Sequence, residues 1–122
     1  QLTVSGPNAI AKAKKSSEII WKKLENLGLK YDKTSTEFLG LSSCHKSLAV
    51  TPNIVNEVVL RLGVKSFDNK AVSRFTKELA PLITAGPPGI TGFSDGRPKI
   101  KEIIAFWPSL ISKKLINTEV LV

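Results

Sequence analysis

Apolar and polar positions along this 122-residue chain change their period several times, and each change marks an element boundary. Leu2 and Val4 alternate with Thr3 and Ser5, which predicts a short opening strand. Gly6-Pro7-Asn8 breaks it, with Asn8 the expected N-cap of a helix. From Ala9 to Leu27 the apolar residues Ala9, Ala13, Ile20, Leu24 and Leu27 fall at helical spacing and predict one amphipathic helix, ended at Gly28. Small residues at its start (Ala9, Ala13, Ser16, Ser17) let that end approach a sheet closely.

The next stretch, Tyr31 to Leu41, is strand-like, with Thr34, Thr36 and Phe38 on one face and Ser35, Glu37 and Leu39 on the other. Residues 42 to 53 show no clean period, contain Pro52 and read as a loop. Ile54 to Ser66 is the clearest strand: Val58, Leu60, Leu62 and Val64 point one way and Glu57, Val59, Arg61, Gly63 and Lys65 the other. That alternation predicts one buried and one wet face, as in an antiparallel sheet. Asp68 is the expected cap of a second helix whose inward stripe is Val72, Phe75, Leu79, Leu82 and Ile83, kinked or stopped at Pro81. Four glycines and three prolines between residues 86 and 98 argue against regular structure there. Alternation resumes from Lys99 to Trp107, which predicts the fourth strand, ended by Pro108; Leu115 to Val122 is an edge strand or a docking tail.

The resulting order, strand-helix-strand-strand-helix-strand, predicts an α+β domain of the ferredoxin-like split βαβ type. Four antiparallel strands carry both helices on one face, in one domain spanning residues 1 to 122. A chain of this length has room for a single core. The strand-first start at Gln1 and the lack of methionine suggest the C-terminal part of a larger protein.

Composition narrows the setting. Hydrophobic residues make up 42% of the chain, as in a folded globular protein. No apolar run reaches membrane-spanning length, so no membrane partner is expected. Cys44 is the only cysteine, which excludes an internal disulfide and fits a reducing, cytoplasmic compartment. One cysteine and one histidine also leave no structural zinc site, and no metal is expected. The net charge of +8 invites an anionic partner.

That charge is mostly lysine and is spread along the chain. Lys12, Lys15, Lys22 and Lys23 line the outer side of the first helix as a candidate basic face, with Glu18 and Lys22 spaced for a surface ion pair. Such a face reads first as solvated surface and second as a phosphate or nucleic-acid contact. The clearest strand carries no aromatic residue on which a base would stack, so nucleic acid is not the expected partner. Ile19 among these lysines and Trp21 at the edge of the stripe are candidate contacts with a missing partner domain.

Ser43, Cys44 and His45 carry nucleophile chemistry in type only. Neighbours in a loop rarely point at one another, and no orienting acid is identifiable, so a buried or partly exposed structural cysteine is expected. The acids show no diagnostic pairing, and no catalytic residue or cofactor is assigned. The best candidate site is the Gly/Pro loop: Gly86, Gly89, Gly92 and Gly96 allow main-chain amides close to an anion, and Arg97 offers a bidentate contact. It is not a P-loop, since no Gly-Lys-Ser/Thr follows. The alternative is a rigid loop docking on the sheet edge or on another domain.

Several motifs stand in a familiar order. Ser5-Gly6-Pro7-Asn8-Ala9 runs into Ala11-Lys12-Ala13-Lys14 and Ser17-Glu18-Ile19-Ile20; Phe38-Leu39-Gly40 and Glu57 to Leu62 come next; Thr84 to Gly89, Gly96-Arg97-Pro98 and Ala105-Phe106-Trp107-Pro108 close the chain. Together they resemble the C-terminal portion of the acyclic terpene utilisation protein A family over essentially the whole length. The resemblance implies a bacterial or archaeal cytoplasmic protein with a larger N-terminal domain, associated with catabolism of acyclic terpenes or related branched acyl compounds, but it supplies no catalytic residues. The leading expectation is an accessory module packing on that N-terminal domain or on its own copy. The alternatives are part of an enzyme binding the phosphates of an anionic acyl-CoA through Arg97 and nearby lysines, and a basic nucleic-acid-binding module.

Overall fold

A computed structural model describes residues 1–41, 43–48, 50, 54–92, 96–117 and 119, with the main chain alone at residue 46. Strand β1 is Leu2–Ser5, helix α1 Ala9–Asn26, β2 Lys33–Leu39, β3 Glu57–Lys65, α2 Asn69–Glu78, α3 Pro81–Ala85 and β4 Ile90–Gly92. Single 3-10 turns lie at Lys46–Leu48 and Lys113–Leu115. The sheet order is β2-β3-β1-β4 with every neighbouring pair antiparallel, the ferredoxin-like arrangement.

Register places Leu2 opposite Leu60 and Val4 opposite Val58 across β1 and β3, and Ile90 opposite Val4 across β1 and β4. These side chains share the helix-covered face, where they meet Ile20 and Leu24 of α1 and Phe75 of α2. Each large apolar side chain buried this way stabilises the fold by about 1.5–3 kcal/mol before entropy is counted. Ala9, Ala13 and Ser16 are fully buried, so the small residues at the start of α1 do bring that turn onto the sheet. The Ser16 and Ser17 hydroxyls, buried with them, donate back to the carbonyls of Lys12 and Lys14.

Helix ends obey their sequence cues in three of four cases. Asp68 caps α2 by accepting from the amides of Lys70 at 2.8 Å and Ala71 at 3.2 Å. Gly28, at φ +69°, closes α1: its amide bonds Glu25 O and the Leu29 amide reaches back to Leu24 O, the Schellman pattern. Pro81 does not kink α2. That helix ends at Glu78, and Pro81 opens the separate short helix α3, where its missing amide hydrogen costs nothing. Asn8 is the exception, because it stands at the N-cap in the left-handed region at φ 61° and makes no side-chain cap bond.

Two expected stripes need trimming. Leu27 is 46% exposed and Ile83 43%, since each falls just beyond the turn that faces the sheet. Trp21 is an intramolecular contact rather than an outward one. Its ring stacks on Phe75 with centroids 6.1 Å apart, Phe75 meets Tyr31 edge-on at 6.3 Å, and Trp21 Nε1 donates to Thr36 Oγ1 at 2.8 Å.

The larger correction concerns the fourth strand. It is Ile90–Gly92, inside the Gly/Pro stretch, and not Lys99–Trp107, which forms no regular structure. A strand is defined by its partner as well as its alternation. Ile90 leads from the turn at Gly89 directly into the open edge of β1 and buries its side chain there. Three residues are enough to occupy that edge, and residues 99 to 107 are left outside the sheet. Of the loop expected at 42 to 53, residues 42, 49 and 51–53 lie outside the described residues, as do residues 93–95, 118 and 120–122.

Candidate functional site

The five loop residues singled out by sequence fall at opposite ends of β4. At one end, Gly86 closes α3, and Gly89 forms a tight junction with β1 and α1. Gly89 lies at φ +86°, and a Cβ built there would stand 2.5 Å from Ser5 O; one on Gly86 would stand 2.3 Å from Leu82 O. Ser5 N donates to Gly89 O at 2.8 Å, and the Lys12 ammonium donates to the carbonyls of Ser5 and of Pro88, the latter at 2.9 Å. Lys12 thus leaves the outer face of α1 and ties β1, α1 and the Gly/Pro loop together. Its glycines serve close main-chain packing, and the amide-lined anion cradle is not what this end builds.

The other lysines of the expected basic face are matched by acids. Lys15 pairs with Glu18 at 3.1 Å and Lys22 with Glu25 at 2.9 Å, so Glu18 pairs three residues back rather than four residues forward. Lys22 also holds the Glu25 carboxyl below its ordinary range, first by hydrogen bonding and then by charge. Lys23 reaches Glu78 of α2, a carboxylate whose side chain is only 5% exposed and which also takes Arg74 Nε at 2.6 Å. The hydrogen bond from Lys23 holds the Glu78 carboxyl low against the opposing pull of burial. Sequence reading missed this bridge because its ends are far apart along the chain. The clue was an acid, Glu78, in register with the apolar stripe of α2.

At the far end of β4, Gly92, Gly96 and Arg97 border an open groove of about 750 Å³. Leu79 and Ala80, at the junction of α2 and α3, and Ile83 of α3 form an apolar wall, and Arg97, Lys99 and Lys101 supply cations from the chain beyond β4. No acid is among the described residues lining it. Ile83 Cδ1 would lie 3.1 Å from a Cβ on Gly92, so glycine keeps this wall close to the strand.

Cys44 and His45 are both exposed, with no hydrogen bond between their side chains. The buried Ser43 hydroxyl has no partner among the described residues, so this trio forms no nucleophile relay there. No group of three metal-ligating side chains occurs among the described residues. No described helix is long and apolar enough to cross a membrane.

Beyond the groove the chain runs on as an arm, residues 97 to 117, every one of them exposed. It carries Ile103, Ile104, Phe106, Trp107, Leu110, Ile111 and Leu115, with Phe106 89% and Trp107 87% exposed. A soluble surface normally scatters such residues singly. Here they crowd into one stretch of chain.

The sequence order of the motifs, from Gly6-Pro7 through Gly96-Arg97-Pro98 to Trp107-Pro108, now has its structural counterpart in the β1–α1 turn, the groove and the arm. A family model described as acyclic terpene utilisation family protein AtuA matches residues 1–122. The chain belongs to the AtuA family. No curated protein and no solved structure matches it significantly. For this AtuA-family domain, then, two features stand out from the packed core: the cationic groove and the apolar arm leading out of it.

Proposed function

We propose that this chain is the accessory, interaction-type domain of a cytoplasmic AtuA-family protein, packing on a larger N-terminal domain or on its own copy. The observation that carries this reading is the arm. The closely spaced large apolar side chains between residues 103 and 111 lie in water in the isolated domain, and burying them offers about 25 cal/mol per Å² of apolar surface. The folded body is complete without the arm, so that free energy is available for association. Structure determination of the whole protein tests the reading, with the arm expected against another domain or another chain. Acrylamide quenching of Trp107 in a Trp21→Phe background gives the same answer in solution: full accessibility in the whole protein overturns it.

The groove supports a second reading, in which the intact protein binds an amphiphilic anion such as a terpenoid or branched acyl-CoA. Three cations beside an apolar wall suit a phosphate head with an acyl tail. Arg97→Ala is then expected to raise the KM or Kd for a CoA thioester about tenfold, the loss of one charge-assisted contact. An unchanged value removes this reading.

A further inference from the structure

The arm also carries information about what covers it. Its apolar centre is bracketed by Arg97, Lys99 and Lys101 on one side and Lys113 and Lys114 on the other, against Glu102 and Glu119. Among the described residues none of these five cations forms an ion pair. The chain as a whole carries +8, so a second copy brings like charge to a basic arm. An acidic surface is the complement.

The backbone separates a protein surface from a lipid one. Residues 97 to 111 make no main-chain hydrogen bond among the described residues. An extended segment sunk into hydrocarbon leaves its amides and carbonyls unpaired, each at a cost of several kcal/mol. The edge of a β-sheet supplies those partners. Pro98 and Pro108, which lack the amide hydrogen, bracket residues 99 to 107, all of which retain it. Nine residues span about 30 Å when extended, a full strand. From Ile103 to Trp107 both faces of that strand are apolar, as suits a strand covered on both sides.

Resting on the reading of this domain as an interaction module, we propose that the arm binds by strand addition: residues 99 to 107 pair with a free sheet edge on an acidic protein domain other than a second copy of this chain. Phe106 and Trp107 are its apolar anchors, and the flanking lysines set orientation and rate of encounter.

Site-specific photocrosslinking in the protein as its host makes it tests the idea, with p-benzoylphenylalanine in place of Phe106 and, separately, of Ile103. Both positions are exposed, so folding of the domain is not at issue. Crosslinks mapped by mass spectrometry are expected on one acid-rich strand edge outside residues 1 to 117. Their yield is expected to fall at least fivefold with Lys99→Glu/Lys101→Glu together, and with added salt. Crosslinks between copies of this domain, crosslinks to lipid alone, or a yield unmoved by charge reversal overturn strand addition to an acidic partner while leaving an interaction role standing. No crosslink from either position overturns that role as well.

Discussion

Glu78 shows how one residue at the end of a helix joins two elements. Its carboxylate receives Lys23 from α1 and Arg74 from its own helix while almost wholly shielded from water. Because the Lys23 hydrogen bond lowers its folded-state pKa below the ordinary 4.5, its contribution is complete above about pH 4.5 and is lost as pH falls through the lower folded value. Glu78→Gln is expected to cost about 1 kcal/mol at pH 7, limited by its half-exposed cationic partners, and to flatten the acid limb of stability measured by urea unfolding from pH 7 to pH 3. Tyr31 works in the other direction. Its hydroxyl donates to Ala71 O, and burial, together with the nearby charges of Asp68 and Glu78, raises its pKa, so its contribution holds through neutral pH and fades only in strong alkali. Gly89 is the other decisive residue. With φ at +86° and Ser5 O where a Cβ would be, Gly89→Ala is expected to destabilise the domain by about 2 kcal/mol and to loosen β4 from β1, measured by urea unfolding and by amide exchange at Ser5.

Among the elements, β3 and the two long helices were legible because their periodicities are long and each buries one face. Val58 and Leu60 are fully buried and paired with the same face of β1, as the alternation requires. Asp68 was legible as a cap for a local reason: the side chain and the amides it accepts from lie within three residues. Asp68→Ala is expected to cost about 1 kcal/mol and to lower the thermal midpoint by several degrees. The fourth strand was not legible, because two segments competed for the edge of β1. Residues 99 to 107 have the better alternation, yet Ile90 reaches the edge first, through a turn that Gly89 makes possible and with a side chain that completes the core. Alternation reports what a segment would do beside a partner, not whether the partner's edge is free.

At the scale of the molecule, sheet order, helix placement and core form a closed unit, and the arm is what remains. Removing residues 99 to 117 is expected to leave the unfolding midpoint of the body within about 2 °C, since substitutions away from buried features change stability little. Calorimetry of the shortened and full chains checks this. A large drop means that the arm helps hold the body together and does not serve association alone. The basic face expected on α1 disappears at this scale. Lys12 is turned inward to carbonyls, and Lys15, Lys22 and Lys23 each meet an acid, whereas the cations of the groove and arm form no ion pair among the described residues. Of the candidate site, Gly92, Gly96 and Arg97 border one groove, whereas Gly86 and Gly89, grouped with them in sequence, lie at the other end of the strand.

Taken by itself, the sequence determined what depends on local spacing: the class of fold, the order of elements, the caps at Asp68 and Gly28, and the membership suggested by its motifs. Those rest on period, turn chemistry and side-chain size, which act over a few residues. Only the tertiary structure decided which segment became the edge strand, which lysines found acids, and which apolar residues stayed in water. Each of these turns on a competition for one partner between groups distant in sequence, and such a competition is settled by what the closed chain brings within a few ångströms.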